Sequence, residues 1–163
     1  MKKFLKPGRV VIMLSGKHAG KKAVILKVIY EGPKNRRFMH CLVAGISRYP
    51  RKVTGKMDDK RIARRTTIKP FVKYVNFNHF LPTRYIVSQS LDVKQMVNYF
   101  DDKISTKNKE HEKNRDPLKN DEIKTEFKKK IRKIFEDKYR GLNLNDDSQE
   151  NQIVKFLFKP LRF

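Results

Sequence analysis

KPGRVVIMLSGKHAGKKAVILKVIYE, residues 6–31, decides how the rest of the chain is read. It holds two apolar runs, residues 10–14 (VVIML) and 23–29 (AVILKVI), joined by Ser15-Gly16-Lys17-His18-Ala19-Gly20. Each run is short and rich in β-branched side chains, which suit a pleated surface better than a helix. Pro7-Gly8 marks a turn ahead of the first run. A glycine-bearing loop between two such runs predicts a β-hairpin, and glycine there permits a positive φ or a close backbone approach.

The spacing of Val10, Val11, Gly16, Gly20 and Val24, with Lys21 and Lys22 beside the second glycine, resembles a KOW motif. That motif forms part of a small SH3-like barrel in ribosomal proteins and transcription elongation factors. The resemblance implies that Gly20 is its defining glycine and that the setting is a nucleoprotein. An ordinary hairpin loop with solvated lysines is the alternative. A phosphate-binding P-loop is excluded: it needs four residues between its glycines and Ser or Thr after the lysine. Here three separate Gly16 from Gly20, and Lys22 follows Lys21.

Charge narrows the class of partner. The 163 residues carry 40 Lys plus Arg against 17 acids, a formal net charge of +23. Residues 1–90 hold 22 basic and 3 acidic side chains, net +19, and residues 91–163 hold 18 and 14, net +4. Such an imbalance opposes compaction and favours a polyanion. The N-terminal half contains no long apolar span, so nucleic acid fits better than a membrane. A single cysteine, Cys41, excludes a disulfide framework and a Cys-rich zinc site. His18, His40, His79 and His111 have no metal-ligand spacing. Lys6, Pro7 and Arg9 interrupt the N-terminal apolar stretch, which argues against a signal peptide.

Working outward, Phe4 and Leu5 are expected to tuck against the barrel, and residues 32–37 form a basic turn. Residues 38–46 (FMHCLVAGI) read as a third strand, with His40 a partly buried strand residue and Gly45 a bulge or close packing point. Residues 48–67 (RYPRKVTGKMDDKRIARRTT) read as irregular and basic. So much like charge without a partner costs stability, and Arg is shaped to grip phosphate bidentately, so RNA contact is the favoured reading. A nuclear-import signal over residues 60–65 is compatible with it. Residues 68–77 resume strand composition, and Pro70 marks an edge. Phe77, Phe80 and Leu81 are assigned to the core, and residues 85–87 to a last short strand. Aromatics beside Arg84 can stack on unpaired bases.

Residues 91–100 suit a short helix with Val93, Met96, Val97 and Phe100 on one face, and residues 101–113 a solvated loop or insertion. Asp116-Pro117 reads as a helix start. Ile123, Phe127, Ile131, Ile134 and Phe135 then form an apolar stripe, with Gly141 as C-cap. That stripe packs on the barrel or on a neighbouring protein, and its basic flanks face RNA or water. Residues 143–152 look like a second polar insertion. The aromatic tail, 153–163, should dock through Phe156, Phe158, Leu161 and Phe163.

Longer strings carry a closer resemblance. Lys6-Pro7-Gly8-Arg9-Val10-Val11, residues 20–25 (GKKAVI), 42–46 (LVAGI), 48–54 (RYPRKVT), Asn78-His79, 81–85 (LPTRY) and Leu161-Arg162-Phe163 occur in that order. Together they resemble the KOW-bearing ribosomal protein family numbered twenty-seven in the eukaryotic large subunit. The match is dense over residues 1–85 and returns at the C-terminus.

The resemblance implies a mainly β fold with added α: a small SH3-like barrel followed by a helical extension and tail. In those terms residues 1–87 are the barrel with basic RNA-binding loops, and 88–115 a connecting segment with a polar insertion. Residues 116–141 are an amphipathic basic helix, and 142–163 a polar insertion and aromatic tail. It further implies a structural, non-enzymatic component that binds ribosomal RNA and neighbouring ribosomal proteins. No cofactor, metal, membrane, small-molecule substrate or homo-oligomer is expected. The setting is cytoplasmic ribosomes, with transient nuclear or nucleolar passage for assembly. The alternatives are a KOW-type elongation or assembly factor and an enzyme acting on RNA.

The candidate RNA-binding residues fall into groups along the chain. The lead-in and hairpin supply Lys3, Lys6, Arg9, Lys17, His18, Lys21 and Lys22, and the turn supplies Arg36 and Arg37. The basic stretch supplies Arg48, Tyr49, Arg51, Lys52, Lys56, Lys60, Arg61, Arg64 and Arg65. Lys69, Lys73, His79, Arg84 and Tyr85 complete the set.

Overall fold

The computed structural model describes residues 4–31, 36–87, 91–107, 117–142 and 148–162. Five strands, β1 (Arg9–Met13), β2 (Lys22–Ile29), β3 (His40–Arg48), β4 (Lys69–Asn76) and β5 (Phe80–Ile86), form one antiparallel sheet in the order β4-β3-β2-β1-β5. Four helices, α1 (Asp59–Thr66), α2 (Val93–Lys107), α3 (Asp121–Arg140) and α4 (Gln149–Phe158), are added to it. The result is a mixed β/α fold whose open sheet fits the small SH3-like, KOW-bearing form.

The predicted hairpin is β1–β2, with Val10 opposite Val24 and Val11 opposite Ala23. Its loop turns on Gly16 and Gly20, at φ +82° and +71°. The Gly20 amide donates to the Met13 carbonyl at 2.7 Å, closing the loop onto β1. Pro70 lies on β4, an edge strand, where a missing N–H costs no ladder bond.

Both faces of the sheet are buried, which explains continuous apolar runs instead of alternation. One face gathers Val11, Met13, Ala23, Ile25, Cys41, Val43, Phe71, Val75 and Phe80, drawn from all five strands. The two edges thus share one cluster, as a sheet curling towards a barrel requires. Gly45 makes room in it: a Cβ there would strike the Phe71 ring and stand 2.8 Å from the Ala23 methyl. The opposite face, with Val10, Val24, Leu26, Leu42, Ala44 and Ile46, is covered by α2, α3 and α4 in a single core. The helical extension therefore completes the sheet, and the apolar stripe of α3 packs on the barrel.

Several expectations change. Residues 48–67 are not irregular throughout, since α1 occupies 59–66, with Asp59 in its first turn and Arg64 and Arg65 in its last. Those charges complement the helix dipole. The helix α2 continues through Lys107 past the expected loop boundary, and Val93, Met96 and Phe100 are buried on one face as read. Pro117 opens a 3-10 turn, and α3 starts instead after Asn120, whose side chain accepts from the Glu122 amide at 3.0 Å. Ile123, Phe127, Ile131 and Phe135 are buried at i, i+4 spacing, and Gly141 caps the helix.

The tail is helical as well, because Ser148 caps α4 and Val154, Leu157 and Phe158 bury one side of it. Phe163 lies outside the described residues. Phe80 points into the core, and strand alternation turns Leu81 outward, 54% exposed. Phe4 is also exposed, while Leu5 packs against the barrel core.

Candidate nucleic-acid interface

The basic stretch folds into a pocket of about 470 Å³ between the end of β3 and α1. Arg48, Tyr49 and Arg51 line one side, Arg61, Arg64 and Arg65 the other, with Met57 and Thr67 between. The two sides are tied together: the Arg51 amide donates to the Arg65 carbonyl at 2.9 Å, and Arg65 Nε to the Lys52 carbonyl at 2.8 Å. Thr66 and Thr67 hydroxyls close the last turn of α1 on Ile62 and Ala63 carbonyls. The helix buries none of its own side chains. Among the described residues, no carboxylate lines the pocket or pairs with its five arginines. Lys52, Lys56 and Lys60 are exposed around it.

A second cationic group sits on the hairpin loop. The His18 ring stacks on Phe71, centroids 3.9 Å apart and planes 3° from parallel. Burial, then the nearby Lys17, Lys73, Lys128 and Lys21, lower its pKa and favour the neutral ring. Lys73 Nζ reaches the loop, 3.7 Å from where a Cβ on Gly16 would stand. Lys21 Nζ lies 5.5 Å from the Tyr49 ring centroid, so this group adjoins the arginine pocket. Sequence reading missed Met57 and Thr67, which carry no charge signal, and placed Lys128 only on a helix flank.

The helices, both cationic groups and all of the sheet but Arg9 lie within one matched span. Residues 10–163 match the Ribosomal L27e protein family. The chain belongs to that family. A relative from Tetrahymena thermophila, named Large ribosomal subunit protein eL27, is 48% identical over 163 residues and covers all of both chains.

Not every candidate of this L27e-family chain faces outward. Lys22 is 2% exposed. Its Nζ donates to the Phe156 and Lys159 carbonyls at 2.6 and 2.8 Å and sits 3.6 Å from the Phe156 ring centroid. It therefore caps the C-terminal end of α4, where a cation complements exposed carbonyls. Burial, then Lys159, push its pKa down to about 8. Tyr49 is 9% exposed, and its hydroxyl oxygen accepts from the Lys22 amide at 2.9 Å. It also forms part of the pocket wall, and burial pushes its pKa up. Arg9 is buried too, donating to the Thr83 carbonyl at 2.7 Å with its guanidinium 4.3 Å from the Phe4 ring centroid. The structure removes these three side chains from a freely exposed surface, because each satisfies an internal donor, acceptor or ring.

The remaining candidates are scattered. Lys6, Arg37, Lys69, His79 and Arg84 are exposed at separate points. Arg36 lies over the Tyr74 ring, and Arg84 donates to the Tyr85 hydroxyl at 3.3 Å. Tyr85 packs on Phe156, ring centroids 4.5 Å apart. Lys3 lies outside the described residues. His40 is buried, its Nδ1 2.8 Å from the Phe38 carbonyl, and burial pushes the Cys41 thiol up to about 12, which keeps it protonated. Among the described residues no group of His, Cys, Asp or Glu is arranged to hold a metal, and no helix is long and apolar enough to cross a membrane.

Proposed function

We propose that the chain is a structural, non-catalytic constituent of the cytosolic large ribosomal subunit, held there by ribosomal RNA and by neighbouring ribosomal proteins. Family membership and the name of the Tetrahymena relative support the ribosomal assignment. The observation that carries RNA contact is the pocket of five arginines with no carboxylate partner among the described residues. Guanidinium forks with no carboxylate partner among the described residues are suited to phosphate oxygens. The hairpin-loop cations, Lys17, Lys21 and Lys73, would add point contacts on the adjoining surface. In this reading residues 1–87 grip RNA and the segments beyond 88 brace the sheet. The protein reaches its site through nuclear assembly and works in cytoplasmic ribosomes.

Sedimentation of the tagged chain from lysate, followed by a high-salt wash, tests this. Contacts to about 6–10 phosphates alone lose ~10³–10⁵ in affinity between 50 and 200 mM salt. An integral constituent, held by many contacts at once, stays with the large subunit through the wash. Release by the wash, or migration with polymerase fractions, would point to a visiting factor instead.

A further inference from the structure

We propose that the arginine pocket takes a single unpaired nucleotide extruded from the RNA, and not the flank of a duplex. The proposal rests on the RNA-binding reading above and specifies what that site holds. The shape is the first reason. A duplex backbone is gripped by cations spread over an open surface, as Lys52, Lys56 and Lys60 are. Here the arginines converge on a concavity of about 470 Å³, within the ~300–1,000 Å³ typical of small-ligand sites.

The wall chemistry is the second reason. The Tyr49 ring is held by the Lys22 amide on its hydroxyl, so it presents a fixed apolar wall, and Met57 adds another. Unpaired bases are bound by stacking on aromatic rings and on guanidinium planes, and the same guanidinium groups can hold the attached phosphate. Third, the pocket is already formed. The Arg51–Arg65 backbone bond and the Arg65 Nε bond to Lys52 fix its two sides without a ligand, so little ordering cost remains on binding.

The test uses the full chain and two RNA stem-loops with the same stem, one with a single-nucleotide bulge. A 2-aminopurine at the bulge reports its surroundings. The wild-type chain should bind the bulged stem about tenfold or more tighter, the scale of one base stacked on side chains, and shield the 2-aminopurine from acrylamide quenching. Thr67→Leu extends an aliphatic group into the pocket and keeps all five arginines. It should bring the two affinities together by lowering that for the bulged stem. Equal wild-type affinity for both stems, an unshielded 2-aminopurine, or a preference that survives Thr67→Leu would overturn the proposal. Absence of salt-sensitive binding to either stem would instead overturn the RNA-binding reading, and this proposal with it.

Discussion

Lys22 and the arginines of residues 48–65 both adjoin Tyr49 and have opposite fates. Lys22 is sealed inside, with two carbonyls and an aromatic ring satisfying its ammonium. The arginines surround an open pocket with no acid among the described residues to answer them. One cation holds the fold, and the others are left for a partner. A count of basic residues cannot separate the two, although the distinction decides which substitution damages the protein and which damages its binding.

The largest effect should come from Lys22→Ala. It removes both donors to the end of α4 and leaves a void under Phe156, so it should cost roughly 2–4 kcal/mol in a urea titration. A cost below about 0.5 kcal/mol would mean that Lys22 is not a structural clamp. Gly20→Val should follow. At φ +71° and with no atom within 4 Å of a new Cβ, its penalty is backbone strain alone, about 1–3 kcal/mol. Because Gly20 precedes Lys21 and Lys22, this variant also asks whether the loop conformation decides which lysine turns inward. An unaltered urea midpoint would remove that role.

A further effect is a pH dependence. The Lys22 amine titrates near 8 in the folded chain and at its ordinary 10.5 when unfolded. Between those values the unfolded chain holds more protons, so this group's contribution raises stability with pH across the window and is lost as pH falls through 8. Wild type should therefore gain stability relative to Lys22→Met from pH 8 to 10.5. Parallel curves would show that the amine is not perturbed.

Much of the sheet was legible because β-branched runs, Gly16, Gly20 and Pro70 each impose a local backbone requirement. The stripe of Ile123, Phe127, Ile131 and Phe135 was legible for the same reason: its period is set by the helix itself. The helix α1 was missed because it buries nothing and so leaves no apolar period, only the charge pattern from Asp59 to Arg65. The helix α4 was missed because the density of aromatics at Phe156 and Phe158 pointed only to a docked tail, while the Ser148 cap lay in a stretch read as an insertion. The inward turn of Lys22 depends on carbonyls more than 130 residues away in the chain, at Phe156 and Lys159, and no local pattern announces it. Burial of Arg9 against Thr83 is hidden in the same way. The arginine stretch itself was visible as charge, but its concavity, with Met57 and Thr67, exists only after α1 folds back on residues 48–51.

The most direct measurement is the salt dependence of RNA binding by the full chain, compared with Arg61→Ala/Arg64→Ala/Arg65→Ala and with Lys22→Met under conditions where all three are folded. If the pocket arginines meet phosphate, the triple variant loses about 1 or more from the slope of log K against log salt, near 1 for each phosphate no longer neutralised. Lys22→Met should keep the wild-type slope and lose only stability. An unchanged slope in the triple variant, or an equal loss in Lys22→Met, would contradict the division between cations that hold the fold and cations that hold RNA.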